Sequence, residues 1–286
     1  MKKHIKLLSL LLVICALFSA CTITFDTVGD SAPELASVQE YNQDAFCVVN
    51  DNVPQFTAKE ITTDSFEEYG DLDPLGRCTV CTASIGKDLM PTEKRGAIGM
   101  VKPTGWHTVK YEGIDGNYLY NRCHLIGFQL TGENANTRNL ITGTRYMNTE
   151  GMLPFENEVA EYVRRTKKHV MYRVTPDFRG RELVARGVQI EAYSVEDKGR
   201  GVSFNVYCYN VQPGIEIDYA TGESKKLKTA TQSASSVYIL NTNSKKFHRP
   251  SCKLARDISE KNKKNYSGSR EELINRGYKP CGSCKP

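Results

Sequence analysis

The feature that most constrains this 286-residue chain is a set of one histidine and three cysteines near the C-terminus. Their spacing is His248-x3-Cys252-x28-Cys281-x2-Cys284. A Cys-x2-Cys pair places two thiolates on one edge of a tetrahedron, and the His/Cys pair can supply the other edge. Disulfide bonds are the alternative in an exported chain. The surrounding stretch has few large apolar residues and cannot build much core unaided, which favours a structural zinc ion.

The residues around this set form a basic module, which we place at residues 237–286. It carries 12 Lys and Arg residues against 4 Asp and Glu residues, a balance that favours an anionic partner. The stretches 238–241, 247–252 and 277–284 resemble the small Ada-like metal-binding module that is appended to bacterial nucleases and competence proteins. The resemblance implies a tetrahedral Zn²⁺ site and an accessory role in DNA contact.

The N-terminus has the layout of a secretory signal. Three lysines precede an apolar run from Leu7 to Phe18, which is too short to cross a bilayer comfortably. The run ends Ser19-Ala20-Cys21, which resembles the lipobox of bacterial lipoproteins. We therefore predict a signal peptide at residues 1–20 and a lipid anchor on Cys21, with plain secretion after Ala20 as the alternative. Either way, the predicted location is extracellular or on the bacterial cell surface, an oxidising environment.

Between the leader and the basic module, the composition predicts three segments. Residues 21–73 are acidic and weakly periodic, which indicates a tether leading into the fold. Residues 74–222 have the pattern of one globular domain, and residues 223–236 form a polar, small-residue linker. Within the domain, apolar residues recur at helical spacing over 149–166, and strands are predicted at 170–174, 183–195 and 202–211. The predicted fold class is α+β.

Several residues of this domain have the chemistry that phosphodiester hydrolysis needs. A neutral imidazole such as His124 can activate water near neutral pH. Mg²⁺ often takes only one or two protein oxygens, and the carboxamide of Asn148 is a neutral oxygen ligand. Glu156 lies two helical turns beyond Asn148 and can support the metal from the same side. Arg122 is a candidate for binding the phosphate.

The same residues resemble the DNA/RNA non-specific endonuclease family, the ββα-metal nucleases, and within it the bacterial DNA-entry nucleases. The family carries Asp-Arg-Gly-His, which reads Asn121-Arg122-Cys123-His124 here. Asn139-x8-Asn148-x7-Glu156 then fits the family spacing. The resemblance, over residues 75–222, implies a ββα-metal core on an antiparallel sheet. It implies that His124 is the general base, Asn148 the direct Mg²⁺ ligand, Glu156 its outer-shell support and Asn139 a structural hydrogen-bonding partner. Asn121 in place of the acid implies that His124 is less strongly oriented or that its basicity is lower, and Cys123 in place of glycine implies an altered local turn.

Read one at a time, these residues have ordinary structural interpretations. A single histidine after a strand is more often structural than catalytic, and only the Asn and Glu spacing reverses that expectation. Arg122 and Arg145 are also compatible with surface charge, and Arg95 is another phosphate-binding candidate. We interpret His107 and His169 as structural. Cys78-x2-Cys81 fits a local disulfide or free thiols, and the partners of Cys47, Cys123 and Cys208 cannot be assigned.

The functional hypothesis is an exported, Mg²⁺-dependent endonuclease with little sequence preference, acting on DNA and with RNA as a second candidate substrate. No organic cofactor is expected, and the only membrane contact predicted is the lipid anchor. A non-catalytic DNA-binding surface lipoprotein is the rival hypothesis, because the basic module fits it equally well. A zinc-stabilised module that binds anionic wall polymers is a weaker rival.

Overall fold

The structure is a computed structural model that describes residues 35–227 and 236–286. The chain divides into two compact units, which are described separately. The first runs to Gln212 and includes Asp218–Glu223, and the second comprises Pro213–Ile217 and Ser224–Pro286. The predicted signal peptide, the lipidation site Cys21 and most of the predicted linker lie outside the described residues. Within those residues, no helix combines the length and apolar character that a membrane span requires.

A six-stranded antiparallel sheet is the centre of the first unit. Its strand order is β1-β8-β7-β6-β3-β2. The longest strands are β6, β7 and β8, which agree with the predicted strands to within a few residues. The bounds are β1 Phe46–Val48, β2 Phe66–Tyr69, β3 Cys81–Ile85, β4 Tyr120–His124, β5 Leu140–Thr144, β6 Val170–Pro176, β7 Gly187–Ser194 and β8 Ser203–Tyr209.

One face of this sheet packs against the long helix of the unit. Helix α1 spans Phe128–Thr131 and helix α2 spans Leu153–Thr166. Val159 and Val163 of α2 join the main apolar core, together with Tyr172, Ile190 and Val206 from the sheet. Their burial accounts for the helical and alternating patterns in the sequence, since each pattern places apolar side chains on one face.

From β1 onward the segment before residue 74 belongs to the fold, so this part of the predicted tether and entry segment is the entry to the fold. Strand β1 pairs with β8, and β2 pairs with β3. The same segment also covers the second sheet face, where Arg173 forms ion pairs with Glu60 and Glu191 at 2.8 Å. These pairs neutralise a buried guanidinium, which would be costly to bury alone. The acidic composition suggested solvent exposure, whereas some of these acids are partners of buried polar groups.

The second unit contains a four-stranded sheet with the order β13-β11-β12-β14. Tyr238, Leu240, Phe247 and Leu273 form its small apolar core. A separate hairpin pairs β9 with β10, so the predicted linker boundary at 223 is wrong, because 224–226 is a strand. The bounds are β9 Ile215–Ile217, β10 Ser224–Lys226, β11 Ser236–Asn241, β12 Lys246–His248, α3 Lys253–Arg256, β13 Lys263–Gly268, α4 Arg270–Asn275 and β14 Lys279–Pro280.

Candidate active site

The candidate site is built on a β-hairpin followed by a helix. Strand β4 pairs with β5 as a separate two-stranded sheet, and His124 is the last residue of β4. A π-helical turn, Met147–Met152, follows β5 and leads directly into α2. Pro154 sits in the first turn of α2, where its missing N–H costs no helical hydrogen bond.

These elements border one open cleft of about 700 Å³. It brings together four of the five residues predicted to form the site, namely His124, Asn148, Glu156 and Arg122. The fifth, Asn139, is fully buried and does not line it. The other polar residues that line the cleft are Arg95, Thr108, Asn121, Gln129 and Arg145.

His124 is held in a defined orientation by the backbone of the loop that follows α1. Its Nε2 atom is 2.7 Å from the carbonyl oxygen of Asn134. Because a carbonyl can only accept a hydrogen bond, Nε2 carries the proton, and the lone pair of the neutral ring is on Nδ1. The side chain is only 6% exposed. Burial lowers the pKa of His124 to about 4, with a further lowering from the Arg95 cation.

Asn139 fixes the backbone just beyond His124. Its side-chain oxygen accepts a hydrogen bond from the amide of Ile126 at 2.8 Å, and its side-chain nitrogen donates to the carbonyl of Ile126 at 3.0 Å. The amide of Leu125 also donates to the carbonyl of Asn139. Asn139 therefore ties the chain after β4 to the start of β5, and so supports the position of His124.

Asn148 lies in the π-helical turn, where its backbone carbonyl accepts a hydrogen bond from the amide of Leu153, five residues later. Its side chain is half-buried and lines the cleft. In the described part of the chain, no group forms a hydrogen bond with its carboxamide. A π-helical turn holds about one residue more than an α-helical turn. Because of this extra residue, Asn148 and Glu156 lie towards the same side of the helix.

The carboxyl group of Glu156 lies against Gly127, which caps the start of α1. A Cβ atom added to Gly127 would stand 2.6 Å from Oε2 of Glu156, so this approach requires glycine. Burial of the carboxyl group raises the pKa of Glu156 to about 7, although a hydrogen bond from Gln129 and the charge of Arg95 act in the opposite direction. A carboxylate held in this way would gain from a nearby cation.

The three arginines of the cleft have different partners. Arg122 donates to the carbonyl oxygens of Val101 and Gly99, and its guanidinium stacks on Trp106 at 3.9 Å from the ring centroid. Arg145 forms an ion pair with Asp115 at 2.6 Å. Arg95 is exposed, and its one hydrogen-bonding contact with another described residue is long, 3.4 Å from Nη2 to Nδ1 of His124. Arg95 is thus the cleft arginine with the most donors left for a ligand.

The two departures from the family motif have local structural explanations. Asn121 accepts a hydrogen bond from Arg145 at 3.4 Å and leaves its own Nδ2 buried without a partner among the described residues. The expectation of a less firmly oriented His124 is not supported, because the Asn134 carbonyl orients the ring. Cys123 faces the core in a regular strand, and Gly143 leaves room for its sulfur, so no altered turn is needed.

The second unit brings its predicted metal ligands together. One ligand atom from each of His248, Cys252, Cys281 and Cys284 lies within 4.8 Å of the others. His248, Cys252 and Cys281 are buried, and the amide of Arg249 donates to the sulfur of Cys284 at 3.4 Å. Three sulfurs and one imidazole in a compact group are the donor set of structural zinc sites. The residues present therefore fit Zn²⁺.

The remaining described cysteines and histidines of the first unit do not line the cleft. Cys47, Cys78, Cys81, Cys123 and Cys208 are free thiols. The thiols of Cys78 and Cys81 donate to backbone carbonyls of residues 137–140 and 79, so a local disulfide is not formed. The Nδ1 atom of His169 pairs with Glu196 at 2.9 Å, and the Nε2 atom of His107 is 3.1 Å from the carbonyl of Thr221.

Sequence reasoning missed three contributors to the site. The Asn134 carbonyl left no signal, because any residue supplies a backbone oxygen. Gly127 follows the Arg122–His124 stretch closely, and its position before a short helix was a usable hint. Trp106 is the only tryptophan of the chain, yet its place in the cleft depends on a loop that periodicity does not predict.

Comparison with known proteins shows that the first unit is similar to non-specific endonucleases. The family described as DNA/RNA non-specific endonuclease matches residues 57–196. The structure of NucA from Streptococcus agalactiae with magnesium bound is 26% identical, with a TM-score of 0.56 over 63% of this chain and 86% of that chain. The structure of Sda1 nuclease with bound zinc is 25% identical, with a TM-score of 0.53 over 65% of this chain and 97% of that chain.

A curated relative gives a partial match. A protein named deoxyribonuclease from Streptococcus dysgalactiae subsp. equisimilis is 29% identical over 111 residues, which are 37% of this chain. The match spans 33% of that relative's length. The likeness therefore concerns about a third of the relative and not the whole of it.

Proposed function

We propose that the protein is an Mg²⁺-dependent endonuclease with little sequence preference, and the match of residues 57–196 to the DNA/RNA non-specific endonuclease family supports this. Its substrate is DNA, with RNA as a second candidate. The observation that carries the proposal is the single cleft shared by His124, Asn148 and Glu156, with arginine side chains around it. A base, hard oxygen donors and cations in one cleft form a set suited to phosphodiester hydrolysis.

His124 is the proposed general base. With Nε2 occupied by the Asn134 carbonyl, Nδ1 accepts a proton from the water that attacks phosphorus. The bond from phosphorus to the 3′ oxygen then breaks, which leaves a 5′-phosphate and, after protonation of the oxygen, a 3′-hydroxyl. The low pKa of His124 keeps the ring neutral, and so ready to act, at every pH near neutrality.

Asn148 and Glu156 are the proposed metal-holding pair. The unbonded carboxamide of Asn148 offers a direct oxygen ligand, and the Glu156 carboxylate orients the surrounding water molecules. Mg²⁺ bound there would supply positive charge to the scissile phosphate and to the oxygen that leaves. The carboxamide is neutral, so the ligand does not offset that charge.

Arg95 is the proposed phosphate-binding residue. Arg122 donates to two carbonyls and Arg145 is paired with Asp115. Arg95, by contrast, has one long contact, to His124, within 35–227 and 236–286. When a phosphate draws the guanidinium away, Nδ1 of His124 is uncovered. Substrate binding and exposure of the base are thereby linked.

The second unit is proposed to be a zinc-stabilised module that strengthens binding to nucleic acid through its basic side chains. Contacts of this type are electrostatic and independent of sequence, so affinity should fall steeply with salt. The proposed location is outside the cell, through a signal peptide at residues 1–20 and a lipid on Cys21, or through secretion without the lipid.

Plasmid cleavage tests the proposal. The purified protein with Mg²⁺ should convert supercoiled plasmid to nicked and linear forms, and EDTA should stop the reaction. Retention of plasmid on the protein without EDTA-sensitive nicking would instead favour the rival DNA-binding lipoprotein. Binding of anionic wall polymer that DNA does not displace would favour the weaker rival.

A further inference from the structure

One wall of the cleft is aromatic and has no part in the proposed chemistry. Trp106 and Tyr118 line it, next to Ile98. Tyr118 is 45% exposed, and Trp106 is half-buried. The core aromatics Tyr172 and Tyr207, by contrast, are almost completely buried. Large rings left in contact with the cleft are available to a ligand.

Trp106 is also held in place. The guanidinium of Arg122 stacks on the indole at 3.9 Å, and Arg122 is itself fixed by the carbonyls of Val101 and Gly99. An aromatic ring that is anchored before the ligand arrives loses little conformational entropy on binding.

We propose that Trp106 stacks on an unpaired nucleobase next to the phosphate that His124 attacks. The proposal rests on the proposed function, because it assigns the substrate of the same cleft. An anionic phosphate beside a planar base is the ligand that matches a cleft lined by both arginines and aromatic rings. Bases in a duplex are stacked on their neighbours, so the Trp106 site selects single-stranded or locally unpaired nucleic acid.

Fluorescence tests this directly, because Trp106 is the only tryptophan of the chain. The purified protein is titrated in buffer without Mg²⁺, which prevents cleavage and leaves the zinc of the second unit in place, with a thymidine hexanucleotide and with an abasic hexamer of equal charge. The hexanucleotide should quench the emission, and the abasic hexamer should leave it nearly unchanged. Equal responses to both would overturn the proposal, since charge alone would then explain binding.

Two variants separate stacking from a structural role. Affinity is measured by anisotropy of labelled hexamers, which needs no tryptophan. Trp106→Leu should weaken binding of the thymidine hexamer roughly ten- to a hundred-fold, the range expected for one lost base stack, and change abasic binding less than about two-fold. Trp106→Phe should retain most of the affinity. Equal weakening for both hexamers in Trp106→Leu would contradict the proposal.

The outcome is distinguishable from failure of the proposed function. If the wild type nicks plasmid but shows no base-dependent quenching, the stacking site is wrong and the endonuclease assignment stands. If base-dependent quenching occurs without any nicking, the stacking site stands and the endonuclease assignment is wrong.

Discussion

The Nε2 atom of His124 donates its hydrogen to the carbonyl oxygen of Asn134 across 2.7 Å. This relationship decides which nitrogen can act as a base, because it leaves the Nδ1 lone pair facing Arg95 and the cleft. The backbone carbonyl orients the ring in this protein, in which Asn121 stands where the family motif has an acidic residue.

The low pKa of His124 predicts the pH profile of cleavage. Since burial and Arg95 lower this pKa to about 4, the ring is neutral above about pH 5, and kcat/KM should be flat from there to neutrality on account of this group. Below pH 4 the ring becomes protonated and kcat/KM should fall. Arg95→Ala removes a lowering charge and should move this fall to higher pH. An NMR titration of the His124 imidazole that is centred near pH 6.5, the ordinary value, would contradict the burial argument. The NMR signal is needed because Glu156, with its pKa of about 7, also changes kcat/KM near neutrality.

Gly127 and Glu156 give a steric prediction. The Gly127→Ala methyl group would overlap the Glu156 carboxylate, and φ at this position is −59°, so the backbone itself tolerates alanine. The variant should therefore fold normally and need several-fold more Mg²⁺ for half-maximal cleavage, as should Glu156→Gln. Glu161→Gln, an exposed change on the same helix, is the matched control and should leave the Mg²⁺ requirement unchanged.

Asn139 is predicted to contribute to the stability of the folded protein. Asn139→Ala leaves the backbone amide and carbonyl of Ile126 buried without their partners, which costs about 1–3 kcal/mol in the free energy of unfolding. Denaturant unfolding monitored by circular dichroism would measure it. Asn157→Ala, on the exposed face of α2, should stay within about 0.5 kcal/mol of the wild type. Equal stability of both variants would show that the buried pair is dispensable.

The group formed by His248, Cys252, Cys281 and Cys284 in the second unit predicts one Zn²⁺ per protein. Metal analysis of the purified protein should find that ratio, and Cys281→Ser should abolish it while Cys78→Ser, outside the cluster, does not. Recovery of Cys252, Cys281 and Cys284 as disulfides without metal would contradict this account.

The sequence predicted this site better than its surroundings for a physical reason. His124, Asn148 and Glu156 lie on one hairpin and the helix that follows it. Their types and spacings can be recognised in the sequence because these elements are consecutive in the chain. The polar network of Arg173 with Glu60 joins residues far apart in sequence, so the acidic segment looked solvent-exposed when part of it covers the sheet. Arg122 matched a motif, yet the loop at 99–101 takes up its donors, and no periodicity reveals that contact.

The central claim is that His124 and Asn148 act on one phosphate from a shared cleft, with different tasks. Chemical rescue tests it most directly, with plasmid cleavage measured in saturating Mg²⁺ and added imidazole. His124→Ala should be almost inactive without imidazole and should recover cleavage as imidazole is added, because a free base can replace the missing ring. Asn148→Ala should stay inactive at every imidazole concentration. Wild-type cleavage rates in His124→Ala without imidazole would contradict the account.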